Sequence, residues 1–195
     1  MPLPDDRIRL ADLQDAPAML NIYTPYVKDT LITFEYEPPA LAEFSKRIEA
    51  RAGMLPWVVY EREGCVAGYA YASRFSEREA YSWTVETSVY IDKSLHGSGI
   101  GRRLYTALFA ILRAQGCRNA YACITVPNPE SEGFHEKMGF SRGGTLENVG
   151  YKFGEWRHIA DYVLQLQEFS VPEPLIPLAQ FSPRVLKDAF AGAMQ

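Results

Sequence analysis

A chain of 195 residues with 47% hydrophobic side chains is long enough to bury one sizeable core, so a single principal domain is the default expectation. Its 20 basic and 24 acidic residues leave a net charge of −4 with the two signs interspersed, which excludes the basic footprint of a nucleic-acid partner. No apolar run approaches the roughly 20 residues that span a bilayer, the first residues lack a signal-peptide layout, and Cys65, Cys117 and Cys123 have neither CxxC spacing nor an even count. A cytoplasmic protein with no membrane association, no disulfide framework and no metal site is therefore expected.

In chain order, Leu13, Leu20, Tyr23 and Val27 predict a helix over 12–28 after a short strand at 8–10. LITFEYEP (31–38) reads as a short extended segment, and 41–51 as an amphipathic helix ended by Gly53. WVVYE and CVAGYAYASRF, joined by Arg62-Glu63-Gly64, read as an antiparallel hairpin. After a loop at 76–80, YSWTVETSVYI is rich in β-branched and aromatic residues and reads as a long strand. It leads into LHGSGIGRRL (95–104) and a helix whose apolar face is Ile100, Leu104, Leu108 and Ile111 and whose end is marked by Gly116. A strand over 119–126 follows, then a short helix opened by Asn128-Pro129 and closed by Gly139, a strand from Phe140 and another extended run over 151–166. The proline-rich remainder carries a terminal helix from Ser182-Pro183. This order predicts an α+β fold, a mixed, mostly antiparallel sheet with helices on both faces.

The stretch LHGSGIGRRL places three glycines within five positions at a helix entrance. Free N–H groups in a helix's first turn and the positive end of its dipole favour an anion, and glycine lets a ligand approach the backbone. A Walker A loop would need Lys and Ser or Thr after the last glycine, where this chain has Arg102-Arg103. A Rossmann fingerprint would read GxGxxG after the first strand of a βαβ unit, whereas GxGxG here follows an antiparallel-looking hairpin. The loop alone is also compatible with a plain helix entrance.

Taken in order, YSWTVETSVYI, LHGSGIGRRLYTAL, ITVPNPES, FHEKMGF, GGTL and VGYKFGEW resemble the GNAT N-acetyltransferases, and within them the phosphinothricin and methionine sulfoximine acetyltransferase branch. The resemblance covers roughly 8–166; His96 at the head of the glycine loop and Gly133 inside a helix depart from the pattern. It implies an acetyltransferase domain over 1–168, a proline-containing extension over 169–195, and central strands that splay to admit acetyl-CoA. Val89, Tyr90 and Ile91 would meet the pantetheine amides. His96, Gly97, Ser98, Gly99, Ile100, Gly101 and Arg102 would surround the pyrophosphate, and Asn128 would reach the cofactor, cap its helix, or do both.

Acetylation of an amine needs proton removal, attack on a thioester carbonyl and loss of thiolate, with no covalent enzyme nucleophile. The resemblance puts Glu86 in place as general base, its pKa raised by partial burial; the alternative is a solvent-facing strand glutamate. It puts His135 beside the sulfur to relay a proton or protonate the thiolate, the alternative being a structural histidine. His135-Glu136 lacks the second histidine of an HExxH metal motif. Phe34, Arg78 and Tyr81, with Tyr105, Thr125 and Ile159, would line the acceptor pocket, where Arg78 is either a carboxylate or phosphinate clamp or an ordinary loop arginine. The implied activity is acetylation of the α-amine of a small amino acid analogue by a homodimeric enzyme. Protein N-termini or other amines are the alternative acceptors, and a silent acyl-CoA-binding protein is the third reading.

Overall fold

The computed structural model describes residues 5–50 and 53–195. Strand β1 (Arg7–Leu10) leads through a 3-10 turn capped by Asp12 into helix α1 (Ala16–Asp29), and α2 (Leu41–Glu49) follows. Positions 1–4 of the expected domain and position 51 of the expected second helix lie outside the described residues. The hairpin β2 (Trp57–Arg62) and β3 (Cys65–Arg74) turns at Glu63-Gly64, both with positive φ, as a tight right-twisted hairpin requires. Then come β4 (Thr84–Ile91), α3 (Ile100–Gln115), β5 (Asn119–Val126), α4 (Pro129–Lys137), β6 (Ser141–Lys152), β7 (Glu155–Gln165) and α5 (Pro183–Ala193). The extended run expected over 151–166 is divided by a turn at Phe153-Gly154, so its first residues close β6 and the rest form β7.

These strands make one seven-stranded sheet in the order β1-β2-β3-β4-β5-β7-β6, antiparallel except for the β4–β5 pair. Side chains alternate between its faces. Val58, Tyr60, Ala70, Ala72 and Val85 join the apolar stripe of α3 in one cluster, whereas Trp57, Val59 and Tyr69 join α1 and α2 in another. The C-terminal segment belongs to the α3 side: Leu178 and Ala193 are buried there, and the Gln115 amide donates to the carbonyls of Met54 (2.6 Å) and Ile176 (3.0 Å). Among the described residues, no helix is long and apolar enough to cross a membrane.

Residues 31–37 correct the sequence reading, since they form bends and no strand. Their β-branched and aromatic composition mimics a strand, but the segment is held from below and pairs with no sheet edge. Lys152, fully buried in β6, donates to the carbonyls of Val27 (2.7 Å), Thr30 (3.0 Å) and Thr33 (2.7 Å). Tyr36 adds a hydrogen bond to the Tyr151 carbonyl. At Gly150 the close approach is steric, because a Cβ there would overlap the Phe34 ring.

Candidate active site

The sheet opens where the one parallel pair among the described residues ends. Thr84, Val85 and Glu86 of β4 face Asn119, Ala120 and Tyr121 of β5, and beyond Glu86–Tyr121 the two strands part. Strand β4 keeps its register with β3 to Ile91, and β5 keeps its register with β7 to Val126. The wedge thus lies between two otherwise intact half-sheets, with Glu86 at its apex. From Thr87 to Ile91, β4 presents to the wedge an edge without a strand partner. Such an edge carries main-chain donors and acceptors that an amide-bearing ligand can satisfy. Val89 and Ile91 send their side chains to the α3 face and Tyr90 to the α1 face, leaving the backbone to form that edge.

At the wide end of the wedge stands the glycine loop. Gly97 and Gly99 have φ of 77° and 83°, which an L side chain rarely adopts, and Gly99 caps α3 with no side-chain hydrogen bond. The first-turn N–H groups of α3 therefore lack a side-chain cap, as an anion site requires. Arg103 folds back toward the Ser98 carbonyl (3.5 Å), whereas Arg102 is exposed on the first turn. Ser98 donates its hydroxyl to the Leu95 carbonyl (2.6 Å), and His96 is tied away from the loop. Tyr26 donates to the Ile91 carbonyl (2.6 Å) and its oxygen accepts from His96 Nε2 (2.7 Å), pinning the loop entrance to α1. Asn128 caps α4, its Oδ1 accepting from the Ser131 N–H (3.2 Å), and it also lines a cavity of about 190 Å³ with Thr125, Leu31, Ile32 and Arg157. Thr125 pairs with Ile159 across β5–β7, which places these expected residues together on one wall.

His135 lies deeper. It is buried, with Phe134 and Phe140 ring centroids each 5.2 Å from its own. Nδ1–H donates to the Ser131 carbonyl (2.8 Å), leaving Nε2 to accept from the Tyr105 hydroxyl (3.2 Å). Burial lowers the His135 pKa, and the Ser131 hydrogen bond opposes that only in part. Tyr105 also sits 3.4 Å from the Thr87 carbonyl, one residue past the apex. Burial raises the Tyr105 pKa; hydrogen bonding with the Thr87 side chain opposes this, and the nearby Tyr71 and Glu86 charges add to it. The result is a neutral imidazole–phenol pair behind β4.

The remaining expected acceptor residues are spread around the opening. Phe34 is held in the bend above β6 by Gly150. Arg78 is exposed and precedes the 3-10 turn Glu79–Tyr81. Tyr81, 41% exposed, packs on Phe75 (5.6 Å between centroids), which in turn packs on Tyr121 (4.8 Å) at the apex. The wedge, its loop and the imidazole–phenol pair thus lie along β4, while Arg78 and Tyr81 stand at the rim.

A second cavity, of about 280 Å³, went unread in the sequence. It opens on the α1/α2 face and is walled by Tyr23, Phe44, Trp57, Tyr69, Tyr71 and Tyr90, with Arg47 and Ser73. Ser73 is the direct cross-strand partner of Glu86, and Tyr71 that of Ser88. The alternation Tyr69-Ala70-Tyr71-Ala72-Ser73 was the available signal, since period two puts these larger side chains on one face.

An acetyltransferase (GNAT) domain model matches residues 8–160. A phosphinothricin N-acetyltransferase of Streptomyces viridochromogenes is 36% identical over 173 residues, covering 89% of this chain and 94% of that protein. An L-methionine sulfoximine/L-methionine sulfone acetyltransferase of Pseudomonas paraeruginosa is 35% identical, covering 82% and 94%. Among solved structures, a GNAT superfamily phosphinothricin acetyltransferase from Sinorhizobium meliloti in complex with AcCoA superposes with a TM-score of 0.82 at 34% identity, covering 87% of this chain and 92% of that one. With the splayed β4–β5 pair and the glycine-entered α3 already in place, these similarities lead to one conclusion: the chain belongs to the GNAT acetyltransferase family.

Proposed function

We infer that this chain is an acetyl-CoA-dependent N-acetyltransferase acting on the α-amine of a small amino acid analogue of the phosphinothricin or methionine sulfoximine kind. The observation that carries the reading is the carboxylate of Glu86 at the apex of the wedge, between an unpaired strand edge and the cavity on the α1/α2 face. Two features of the chain fit acetyl-CoA: first-turn N–H groups without a side-chain cap at α3 suit the pyrophosphate, and the free edge of β4 suits the pantetheine amides. Acetyl-CoA supplies an activated acyl carbonyl. Arg102 adds positive charge beside the pyrophosphate, and Gly97 and Gly99 keep the approach clear.

Glu86 takes the proton from the acceptor ammonium, directly or through water, so that the amine reaches the carbonyl with its lone pair free. Tyr105, kept protonated by burial, and His135 behind it form the second proton-handling group and serve the departing thiolate. Arg78, with Phe34 and Tyr81, orients the acceptor from the rim. Residues 1–168 are assigned to the catalytic domain and 169–195 to an extension that buttresses α3. The enzyme is assigned to the cytoplasm as a homodimer, with the exposed Leu146, Val149, Tyr151, Phe153 and Trp156 of the β6–β7 hairpin supplying apolar surface; sedimentation velocity tests the dimer. For the activity, the test is CoA release with free amino acids, phosphinothricin, methionine sulfoximine, methionine sulfone, aminoglycosides and peptides. Turnover confined to the amino acid class is the expected result, and turnover confined to peptides or aminoglycosides would overturn it.

A further inference from the structure

The free edge of β4 is not uniform along its length. In an antiparallel ladder the N–H and C=O of alternate residues face the partner strand, and those of the residues between face away. Ile91 stands opposite Gly68, and the Asp92 N–H donates to the Ala67 carbonyl (3.0 Å), which fixes the phase. Ser88 and Tyr90 therefore turn their main-chain groups to β3, and Thr87, Val89 and Ile91 turn theirs to the wedge. Such outward pairs recur every two residues, about 6.6 Å apart.

The two end pairs are already engaged within the chain. The Tyr26 hydroxyl donates to the Ile91 carbonyl (2.6 Å), and the Ile91 N–H lies 3.4 Å from the same oxygen. One side chain of α1 thus stands where a neighbouring strand residue would. With the hydroxyl proton committed to Ile91, His96 Nε2 is the donor in the 2.7 Å contact with Tyr26. The ring is braced as well: Tyr26 is 5% exposed and packs edge-on against Tyr90, with centroids 5.2 Å apart. Lys93 stands over it at 5.9 Å while reaching the Pro25 carbonyl (3.4 Å) and Asp29 (3.3 Å). At the apex end the Thr87 carbonyl faces the Tyr105 hydroxyl (3.4 Å). Between them, Val89 keeps its outward N–H and C=O without a strand partner.

We propose that Tyr26, braced by His96, is a positioning residue for the acyl donor: by occupying Ile91 it confines the pantetheine arm to the Val89 pair and so sets the place of the thioester relative to Glu86. The proposal rests on the docking of the arm along β4 given above and adds its register, narrowing the expected contact at 89–91 to Val89. An arm slipped by one repeat toward the wide end would carry the thioester about 6.6 Å from the apex. Reacting atoms must come within about 3–3.5 Å, so the slipped complex is unproductive.

The test joins amide hydrogen exchange with steady-state kinetics. In the parent, saturating CoA should slow exchange at the Val89 N–H and leave that at Ile91 unchanged. Tyr26→Phe keeps the ring and frees both groups of Ile91, so CoA should then slow exchange at both residues. The second register also binds acetyl-CoA without turnover. Therefore kcat and KM for acetyl-CoA should fall together, by about twofold to fivefold, the weight one main-chain hydrogen bond gives the slipped register, with kcat/KM unchanged. His96→Ala, at an exposed position, should show the same pattern at smaller amplitude. Protection of both Val89 and Ile91 by CoA in the parent would overturn the inference and leave the docking of the arm along β4 standing. So would a Tyr26→Phe enzyme with raised KM and unaltered kcat, or one whose kinetics match the parent's. Protection of neither residue in the parent would overturn both.

Discussion

The two sides of the wedge are built from different materials. On the α3 side, the cofactor end consists of backbone: a strand edge without a partner, two left-handed glycines and a helix start without a side-chain cap. On the α1/α2 side, the cavity beside Glu86 consists of side chains, with Trp57 from β2, Tyr71 and Ser73 from β3, Tyr90 from β4 and Arg47 from α2. A backbone site recognises what all acetyl-CoA molecules share and tolerates little change at its glycines. A side-chain site can be re-specified one residue at a time without disturbing the other half. Glu86 stands where the two meet, as the cross-strand partner of both Ser73 and Tyr121.

The sharpest division should come from Glu86→Gln, which keeps shape and removes the base. Turnover is expected to fall about a hundredfold or more, with acetyl-CoA affinity measured by calorimetry unchanged. A loss of affinity matching the loss of rate would erase the boundary between the halves. Gly99→Val is the converse experiment. At φ of 83° a β-branched residue is strained, and its Cβ would come within 2.9 Å of an Arg103 nitrogen. Acetyl-CoA affinity should drop about tenfold or more while circular dichroism stays that of the parent; a folded variant with full affinity would move the pyrophosphate elsewhere.

Smaller effects belong to the rim and to the buried pair. Arg78→Ala should raise KM for acidic acceptors several-fold, by about 1 kcal/mol, with kcat nearly intact, because a clamp on the acceptor serves ground and transition states alike. An unchanged KM would leave Arg78 an ordinary surface residue. His135 adds a pH signature. Its folded pKa lies below the unfolded value of about 6.5, so on acidification the unfolded chain takes up a proton that the folded chain refuses. Stability therefore declines as pH falls from about 6.5 through the folded pKa, at about 1.4 kcal/mol per unit of depression. Asp15 and Glu61 have lowered pKa values, despite burial, through hydrogen bonds to Arg9, with Arg7 also bonding Glu61; their contributions go only at lower pH, as each is protonated. Thermal melts of His135→Asn should lose the first decline and keep the second.

The cofactor half was legible in the sequence because its signals are local. Gly99 and Gly116 bracket α3, Asn128-Pro129 opens α4, and β5 spans the expected 119–126. The cavity on the α1/α2 face was less so, because it forms by convergence. No window containing Arg47 hints that Trp57, Tyr71 and Tyr90 will surround it. Residues 31–37 misled for a related reason: Leu31-Ile32-Thr33-Phe34 has the composition of a strand, and what denies it that role is a lysine more than a hundred positions away. Glu86 and His135 were legible as residue types in a pattern, but the wedge apex that gives the first its place and the aromatic nest that encloses the second are properties of the folded sheet.

Lys152 directs its three N–H bonds to the carbonyls of Val27, Thr30 and Thr33, so the bend that carries Phe34 and Glu35 is shaped before any ligand arrives. Ordering a residue's backbone costs about 1–2 kcal/mol, and a loop left slack would charge that to every binding event. Here the ordering is completed when the chain folds. On the proposed function, the acceptor's selectivity is in that sense inherited from folding, and acceptors of different shape are expected to be told apart by fit to a preformed mould with little accommodation on either side.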